Sequence, residues 1–261
     1  MSAKVAVKKT VKKKPVKKTA PKSRVSKTAK ADERVLVLRT CDANLKSHRG
    51  FQWPESGPVA CPDWKNTAEC GNGLHGLLWG EGNGQLLNWD EEAKWLVVSV
   101  LASEVVKIDS EKVKFPRGEV VFCGDRLGAT AYLVERLTKS ASVVGALITA
   151  GDRGTATAGD GGTATAGDWG TATAGDGGTA TAGHRGTATA GNGGTATAGD
   201  RGTATAGNGG TATAGDRGTL QLSFYDNAAC RKRIATLYVG ENGIEPNVKY
   251  KLNEKNEPVK A

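Results

Sequence analysis

An eight-residue repeat is the feature that most restricts how this chain of 261 residues can fold. From Gly151 the motif Gly-x-x-Gly-Thr-Ala-Thr-Ala recurs in eight complete copies ending at Ala214, and a ninth copy decays into Thr219-Leu-Gln-Leu222. The third position alternates between Arg or Trp and Gly, so the true period is sixteen residues. A short fixed period is the signature of a solenoid. Because sixteen residues suit two strands and two tight turns, we predict a β-solenoid.

The degenerate copies indicate which side chains face inward. Side chains alternate across a strand, so the threonines of each copy share one face and the alanines the other. Leu220 and Leu222 replace the two alanines in the last copy, and Ile148 occupies the alanine register before the first. Large apolar residues at terminal coils would close the core, so we predict alanine inside and threonine outside. We expect glycine at the corners to supply dihedral angles that a Cβ disfavours.

The outward threonines are the predicted binding residues, and their predicted ligand is an ordered surface, whether ice, a glycan or another protein. Four to five coils spaced by about 4.8 Å would give a rod about 20 Å long. The predicted residues are Thr155, Thr157, Thr163, Thr165, Thr171, Thr173, Thr179, Thr181, Thr187, Thr189, Thr195, Thr197, Thr203, Thr205, Thr211 and Thr213.

The Gly-rich octapeptide with Thr-x-Thr, grouped in sixteens, resembles the repeat of bacterial ice nucleation proteins over about 68 residues. This resemblance implies a β-solenoid whose outward Thr-x-Thr arrays organise water. Arrays in that family are many times longer, so the resemblance also implies that an array of this length nucleates ice poorly.

The overall prediction is a mainly β protein. It comprises a disordered Lys-rich tail (1–32), a small α+β N-terminal domain (33–142), a two-strand-per-coil β-solenoid (143–222) and a short β C-terminal cap (223–261). Residues 33–142 contain five of the six Trp and four of the five Cys, as a compact domain would. Runs rich in β-branched residues predict strands. The predicted strands are 34–39, 95–101, 105–108, 119–122, 220–224 and 233–239, with a short helix at 129–137.

Four further segments resemble an uncharacterised family of phage and bacterial proteins that pair such a domain with variable small-residue repeats. The segments are Ser47-His-Arg-Gly-Phe-Gln-Trp-Pro54, Pro62-Asp-Trp64, Cys70-Gly-Asn-Gly-Leu-His-Gly76 and Val239-Gly-Glu-Asn-Gly-Ile244. The resemblance covers residues 35–145 and about 219–261. It implies architecture and no particular chemistry.

The N-terminal tail carries the positive charge of the chain. Residues 1–31 hold eleven Lys and one Arg before the first acid, Asp32, and the rest of the chain is net −3. With no aromatic residue the tail cannot bury enough surface to fold, and it resembles the Lys/Ala/Pro tails of linker histones and bacterial histone-like proteins. We predict non-specific nucleic-acid or other polyanion binding, with a solubilising extension as the alternative. The predicted contacts are Lys8, Lys9, Lys12, Lys13, Lys14, Lys17, Lys18, Lys22, Arg24, Lys27 and Lys30.

A competing hypothesis is an enzyme in the N-terminal domain, with the solenoid as a spacer. Arg39, His75 and Glu119, in that order, resemble the pattern of ADP-ribosyltransferases. The resemblance implies a cation that grips a dinucleotide phosphate and a glutamate that stabilises the oxocarbenium ion. Structural roles also fit each residue, and no nucleophile–base set stands out. The non-enzymatic interpretation is therefore preferred, and no catalytic residue is assigned.

No metal or cofactor is predicted. Cys61, Cys70, His75 and His48 lack the paired C-x2-C spacing typical of zinc sites, and the cysteines are interpreted as small buried apolar residues. The repeat aspartates have a period of eight rather than nine, so turn chemistry explains them without calcium. The segment 80–84, Gly-Glu-Gly-Asn-Gly, lacks the GK[ST] ending of a phosphate loop and is interpreted as a flexible turn.

The third position of the repeat predicts a column of arginine side chains at one edge of the solenoid. Arg153, Arg185, Arg201 and Arg217 would stack along one edge with Trp169, beside a column of aspartates that partly neutralises them.

Five irregularly spaced cysteines do not form a disulfide framework, no apolar run reaches membrane-spanning length, and the N-terminus lacks an apolar signal core. We therefore expect a cytoplasmic protein without a membrane span, and the oligomeric state stays open.

Overall fold

The computed structural model describes residues 33–47, 49–137 and 141–261. The Lys-rich tail and His48 lie outside these residues. The described chain is mostly β-structure, with an N-terminal β domain that continues into a β-solenoid, as the sequence predicted. None of the helices in the described chain is both long enough and apolar enough to cross a membrane.

The N-terminal domain is built on one antiparallel sheet of seven strands. The strand order is β2-β7-β4-β1-β3-β6-β5. The strands are β1 (Arg34–Cys41), β2 (Gly57–Ala60), β3 (Leu74–Leu78), β4 (Lys94–Leu101), β5 (Val106–Lys107), β6 (Val113–Phe115) and β7 (Arg117–Gly124). Single-turn 3-10 helices occur at Gly84–Leu86 and Ala102–Glu104.

Each face of this sheet has its own core because side chains alternate along the strands. One core contains Val37, Trp53 and Phe115, whereas the other contains Leu38 and the helix α1 (Arg126–Val134). The helix starts three residues before its predicted position because the Asp125 carboxylate accepts the backbone N–H of Gly128 at 2.7 Å and caps it. It ends at Val134, three residues before the predicted end.

The solenoid consists of two parallel sheets whose strands pair with the strand sixteen residues further on. The first sheet holds β8 (Leu147–Ala150), β10 (Thr163–Ala166), β12 (Thr179–Ala182), β14 (Thr195–Ala198) and β16 (Thr211–Ala214). The second holds β9 (Thr155–Thr157), β11 (Thr171–Ala174), β13 (Thr187–Ala190), β15 (Thr203–Ala206) and β17 (Thr219–Asp226). The predicted period and two strands per coil are confirmed, and the structure has five coils where four to five were predicted.

Alanine fills the solenoid core, as predicted. The repeat alanines from Ala156 to Ala214 are at most 3% exposed, and Leu220 and Leu222 close the array in the same register. Ile148 stands opposite Ala164 and contacts both the solenoid core and the α1 side of the N-terminal domain. One continuous apolar contact therefore connects the domain to the first coil.

The predicted conformational role of the corner glycines holds at the third position of the turn but not at the first and fourth. The left-handed conformation falls on the third residue of each turn, where Arg153 and Trp169 adopt it as well as Gly161 (φ of 56°, 58° and 59°). The first and fourth glycines do not have positive φ. A Cβ at Gly167 would instead lie 2.7 Å from the backbone N of Asp152 in the preceding coil. These glycines permit close stacking of the coils.

The C-terminal segment covers the far end of the alanine core. Strand β17 pairs with β18 (Arg231–Tyr238), and β16 pairs through Ala212 and Tyr250 with β19 (Tyr250–Leu252), which pairs with β20 (Pro258–Lys260). Val239, Ile244 and Tyr250 are buried against the last alanines.

The segment 80–84 joins the N-terminal domain to the first coil. The Gly84 N–H donates to Asp160 Oδ2 at 3.0 Å, and Arg126 Nη1 donates to the Gly161 carbonyl at 3.2 Å. Trp89 donates its indole N–H to the Gly84 carbonyl at 2.8 Å and packs against Gly161. The interpretation of this segment as a flexible turn was therefore incomplete, because its backbone contacts the solenoid.

Candidate functional site

The outward threonines form two regular faces. Face A consists of the threonines of β10, β12, β14 and β16, and face B consists of those of β9, β11, β13 and β15. Within each face the strands are in register, so that Thr163, Thr179, Thr195 and Thr211 form one row. Within such a row neighbouring threonines are about 4.8 Å apart across the strands, and the two rows of a face are about 6.6 Å apart along them.

The threonine side chains are well suited to a fixed pattern of hydroxyl groups. Each presents one hydroxyl and one methyl group, and β-branching restricts its rotamer. The Thr211 hydroxyl donates to the Thr195 hydroxyl at 3.2 Å, and the Thr205 hydroxyl donates to Gln221 Oε1 at 3.0 Å. The faces therefore offer regularly spaced polar groups to solvent at little further cost in entropy.

Face B continues beyond the repeats onto β18, which the sequence analysis did not anticipate. Tyr238 stands opposite Thr219, and Thr236 opposite Gln221, in the antiparallel pair of β17 and β18. Tyr238 is 53% exposed, and Ile234, two residues before Thr236, is 55% exposed. The alternation of Ile, Thr and Tyr at every second position was the available signal, but the partner strand could not be deduced.

The repeat aspartates and asparagines form ladders between coils rather than a calcium site. Asp160 Oδ1 accepts the backbone N–H of Asp176 at 3.0 Å, Asp176 Oδ1 accepts that of Asn192 at 2.7 Å, and Asn192 Oδ1 accepts that of Asn208 at 3.0 Å. The opposite corner repeats the pattern from Asp152 to His184 and again from Asp200 to Asp216. No cluster of three or more His, Cys, Asp or Glu suited to a metal occurs in residues 33–47, 49–137 and 141–261.

We predict that the ladder contributes measurably to stability. Asp176→Ala removes the acceptor of the Asn192 N–H and should lower the free energy of unfolding by about 1 kcal/mol. Asn208→Ala is the matched control, because Asn208 ends its column and its side chain makes no ladder bond within the described chain. Urea unfolding followed by circular dichroism measures both changes. Equal stability of the two variants would contradict the role of the ladder.

The predicted arginine column lies along one corner of the solenoid. The Arg185 guanidinium lies 4.6 Å from the Trp169 ring centroid, and Trp169 is 53% exposed. Arg217 and Asp216 approach within 3.6 Å, but both side chains are about 70% exposed. Such a surface pair adds little to stability.

Of the three residues in the enzyme hypothesis, two are adjacent and one is remote. Arg39 Nη1 donates to the His75 carbonyl at 3.0 Å. Arg39 shares a face of β1 with Val37. Glu119 of β7 stands opposite Ser99, which stands opposite Leu36 on β1. Because Leu36 and Val37 belong to cores on opposite sides of the sheet, Glu119 faces away from Arg39, and its strand β7 is three strands from β3, which carries His75.

The environment of Arg39 and His75 is cationic. The Arg39 guanidinium lies 4.5 Å from the Trp53 ring centroid. Burial lowers the pKa of His75, and the charges of Arg39, Lys112 and Lys114 lower it further. Among the described residues, Trp53 Nε1 is a buried donor without a hydrogen-bond partner.

The cysteines differ widely in their surroundings. Cys41 is buried, and burial raises its pKa to about 11 despite the opposing effect of Arg39. Cys61 is half-buried, whereas Cys70 is exposed in the turn-rich segment before β3. The prediction that Cys70 is a small buried apolar residue was therefore wrong, because this segment lies on the surface.

We predict selective thiol labelling. Maleimide should modify the exposed Cys70 and Cys230 first at neutral pH and Cys41 last, because the thiolate is the reactive form and a raised pKa depletes it. Mass spectrometry of timed samples gives the order, and a Cys70→Ser, Cys230→Ser variant should lack the fast phase. Rapid modification of Cys41 in the folded chain would contradict this assignment.

Comparisons with known proteins match the two parts of the chain separately. A family model described as a domain of unknown function, DUF7666, matches residues 35–135. An ice nucleation protein of Pseudomonas fluorescens is 43% identical over 108 residues, which are 41% of this chain and 9% of that protein. Another, from Pseudomonas syringae pv. syringae, is 39% identical over 118 residues, 45% of this chain and 10% of that protein.

Ice nucleation protein InaU of Pantoea ananas is 39% identical over 104 residues, 40% of this chain and 10% of that protein. The chain thus spans about a tenth of the length of these curated relatives. No solved structure matches it. The chain combines a repeat region similar to that of ice nucleation proteins with an N-terminal domain that matches a family of unknown function.

Proposed function

We propose that this protein is a non-enzymatic binding protein whose threonine faces adsorb to an ordered surface, and that this surface is ice. The observation that supports this most is the in-register threonine array on both sheets. A crystalline surface offers groups at fixed spacings, and a rigid array can match many of them at once. The entropic cost is low because the β-branched side chains are already ordered.

The relatives support ice as the ligand, and the size of the array limits the activity. The similar curated proteins are named ice nucleation proteins; the segment matched here is about a tenth of their length, which makes them roughly four to five times longer than this chain. A template that stabilises an ice embryo must be large, whereas adsorption to existing ice needs only a small matching patch. We therefore expect ice shaping rather than efficient nucleation.

The test uses ice crystals grown in the presence of the full chain. Replacing Thr171, Thr173, Thr187 and Thr189 with Lys disrupts the centre of face B, and the same change at Thr179, Thr181, Thr195 and Thr197 disrupts face A. Arg201→Lys at a corner is the control, because Arg201 lies off both faces. We expect faceted crystals with the parent and control proteins and round crystals with at least one four-Lys variant.

Two outcomes would refute ice as the ligand. One is round crystals with the parent protein. The other is unchanged faceting with both four-Lys variants while circular dichroism shows an intact solenoid.

The proposal includes a tether at the N-terminus. We propose that residues 1–31 contact nucleic acid or another polyanion, on the strength of their twelve positive charges. Gel-shift titrations with the full chain and a chain lacking residues 1–31 test this. Binding should weaken steeply with salt and disappear on deletion. DNA binding that survives the deletion would refute it.

We also propose a reducing, cytoplasmic location. All five cysteines are free thiols, and proteins of oxidising compartments commonly pair them. Recovery of the chain with the periplasmic or surface fraction of its host would refute this.

A further inference from the structure

Two adjoining cavities flank Arg39 in the N-terminal domain. The larger, about 520 Å³, is bordered by Arg39, Arg49, Trp53 and His75. The smaller, about 210 Å³, shares Arg39 and His75 with it and is bordered on its other side by Lys112. Cavities of several hundred Å³ are of the size that holds small-molecule ligands.

Arg39 lies between these cavities without a compensating charge. Its Nε donates to the Thr40 carbonyl at 3.2 Å and its Nη1 to the His75 carbonyl at 3.0 Å, while the guanidinium stacks on Trp53. Within the described chain no carboxylate pairs with it, and the one side chain that interacts with the guanidinium as an acceptor is the thiol of Cys41, whose pKa is raised so that it is neutral. A shielded cation of this kind is costly unless an anion accompanies it.

Neighbouring cations add to the positive potential. Lys114 is fully buried, and its ammonium donates to Thr67 Oγ1 at 3.3 Å and to the carbonyls of Glu69 and Gly71 at 2.9 and 3.3 Å. These bonds hold the segment that carries Cys70 at the wall of both cavities. Lys114 pairs with no carboxylate in the described part of the chain, so its positive charge also remains uncompensated.

The acids near the cavities do not cancel this charge. Asp63 borders the larger cavity, where Asn72 Nδ2 donates to its Oδ2 at 3.0 Å. Asp109 and Glu111 lie close enough to Lys112 to raise its pKa, although the Cys70 side chain raises it more. Arg39, Arg49 and Lys114 are left without a carboxylate within ion-pair distance among the described residues.

We propose that these cavities bind a small organic anion, with its carboxylate or phosphate group against Arg39, which borders both cavities, and with Arg49 of the larger cavity and Lys112 of the smaller cavity adding to the attraction. Guanidinium N–H groups recognise such oxyanions by paired, charge-assisted hydrogen bonds. The edge-to-face pair of Phe51 and Trp53, with ring centroids 5.4 Å apart, borders the larger cavity and offers an apolar wall to the rest of the ligand. The site is independent of the threonine faces.

The test is titration calorimetry of the full chain at constant ionic strength. Sodium acetate and inorganic phosphate probe the two oxyanions alone, and benzoate and phenyl phosphate add a ring for the apolar wall. We expect saturable binding either of acetate and benzoate or of phosphate and phenyl phosphate. Within that pair, the probe with the aromatic ring should bind more tightly. Arg39→Gln should weaken it about tenfold, and Lys112→Gln and Arg49→Gln about threefold each.

Lys107→Gln is the matched control, because Lys107 is an exposed lysine on β5 that borders neither cavity. Its affinity should equal that of the parent. Arg49 and Lys112 lie at the rim, so their variants should fold even where Arg39→Gln does not. The proposal fails if none of the four probes gives saturable heat up to about 50 mM. It fails equally if Lys112→Gln and Arg49→Gln both bind as tightly as Lys107→Gln.

Discussion

Gly191→Ala should destabilise the solenoid by about 3 kcal/mol, although it adds a single methyl group. A Cβ at Gly191 would lie 2.6 Å from the backbone N of Asp176 and 2.7 Å from the backbone C of Gly175, and it would overlap the Asp176 carboxylate. Backbone atoms of the adjacent coil cannot rotate away as a side chain would. The coils would therefore have to separate at this corner, which weakens the strand pairs and the ladder bond from Asn192 to Asp176.

Gly193→Ala, two residues later in the same turn, is the matched control. Gly193 has a φ of 64°, but a Cβ there would meet nothing within 4 Å. The cost is then limited to the left-handed conformation, about 1 kcal/mol, and Arg185 adopts this conformation at the equivalent position of the previous turn. Urea unfolding should rank Gly191→Ala well below Gly193→Ala in stability. The reverse order would mean that backbone conformation, and not coil spacing, requires glycine at these corners.

The period, the inward alanines and the closing leucines could be predicted because the repeat relates each residue to its neighbour in space. In-register stacking places residue i against residue i+16, so Leu220 necessarily stands over Ala204. The role of the first and fourth glycines was not predictable in the same way. It depends on the distance between adjacent coils. The alanine side chains and the stacked backbone determine that distance together, so the sequence of a single turn does not reveal it.

The N-terminal domain was less predictable because its contacts are not local. The sheet places β1 between β3 and β4 and brings Arg39 beside His75, 36 residues away. Glu119 was grouped with them by chain order alone, and the strand pairing puts it on the face opposite to Arg39 and three strands from His75. The burial of Lys114 also left no sign in the sequence, since its acceptors are backbone carbonyls of a segment more than 40 residues earlier.

The segment 80–84 shows the same limit. Its glycines indicate a turn, but the Asp160 carboxylate that accepts the Gly84 N–H belongs to the repeat array. In the sequence, Asp160 occupies the same repeat position as the other corner aspartates, and nothing distinguishes it from them. Its Oδ1 accepts the Asp176 N–H of the ladder, as at other corners. Its Oδ2 accepts the Gly84 N–H only because the N-terminal domain packs against the first coil.

Leu220→Ala should cost about 3 kcal/mol, even though alanine is the residue found at this register in every preceding coil. Leu220 is fully buried where the array ends, and the next layer consists of Val239, Ile244 and Tyr250 rather than another strand of alanines. Truncation leaves a gap that β18 and the C-terminal segment cannot fill without moving. Ile234→Ala on the partner strand is the control, since Ile234 is 55% exposed and its truncation should change stability by less than about 0.5 kcal/mol.

The reciprocal substitution, Ala204→Leu, separates the effect of position from that of residue type. Ala204 stands directly against Leu220 in the adjacent coil and is fully buried, so three additional carbon atoms have no space there and should also destabilise the solenoid, by about 3 kcal/mol. If leucine were simply a better core residue, Ala204→Leu would stabilise the protein and Leu220→Ala alone would be harmful. Losses from both changes in thermal and urea unfolding would show that the alanine core sets the distance between the two sheets. The leucines would then be tolerated only where the array ends and that distance is no longer imposed by a coil on each side.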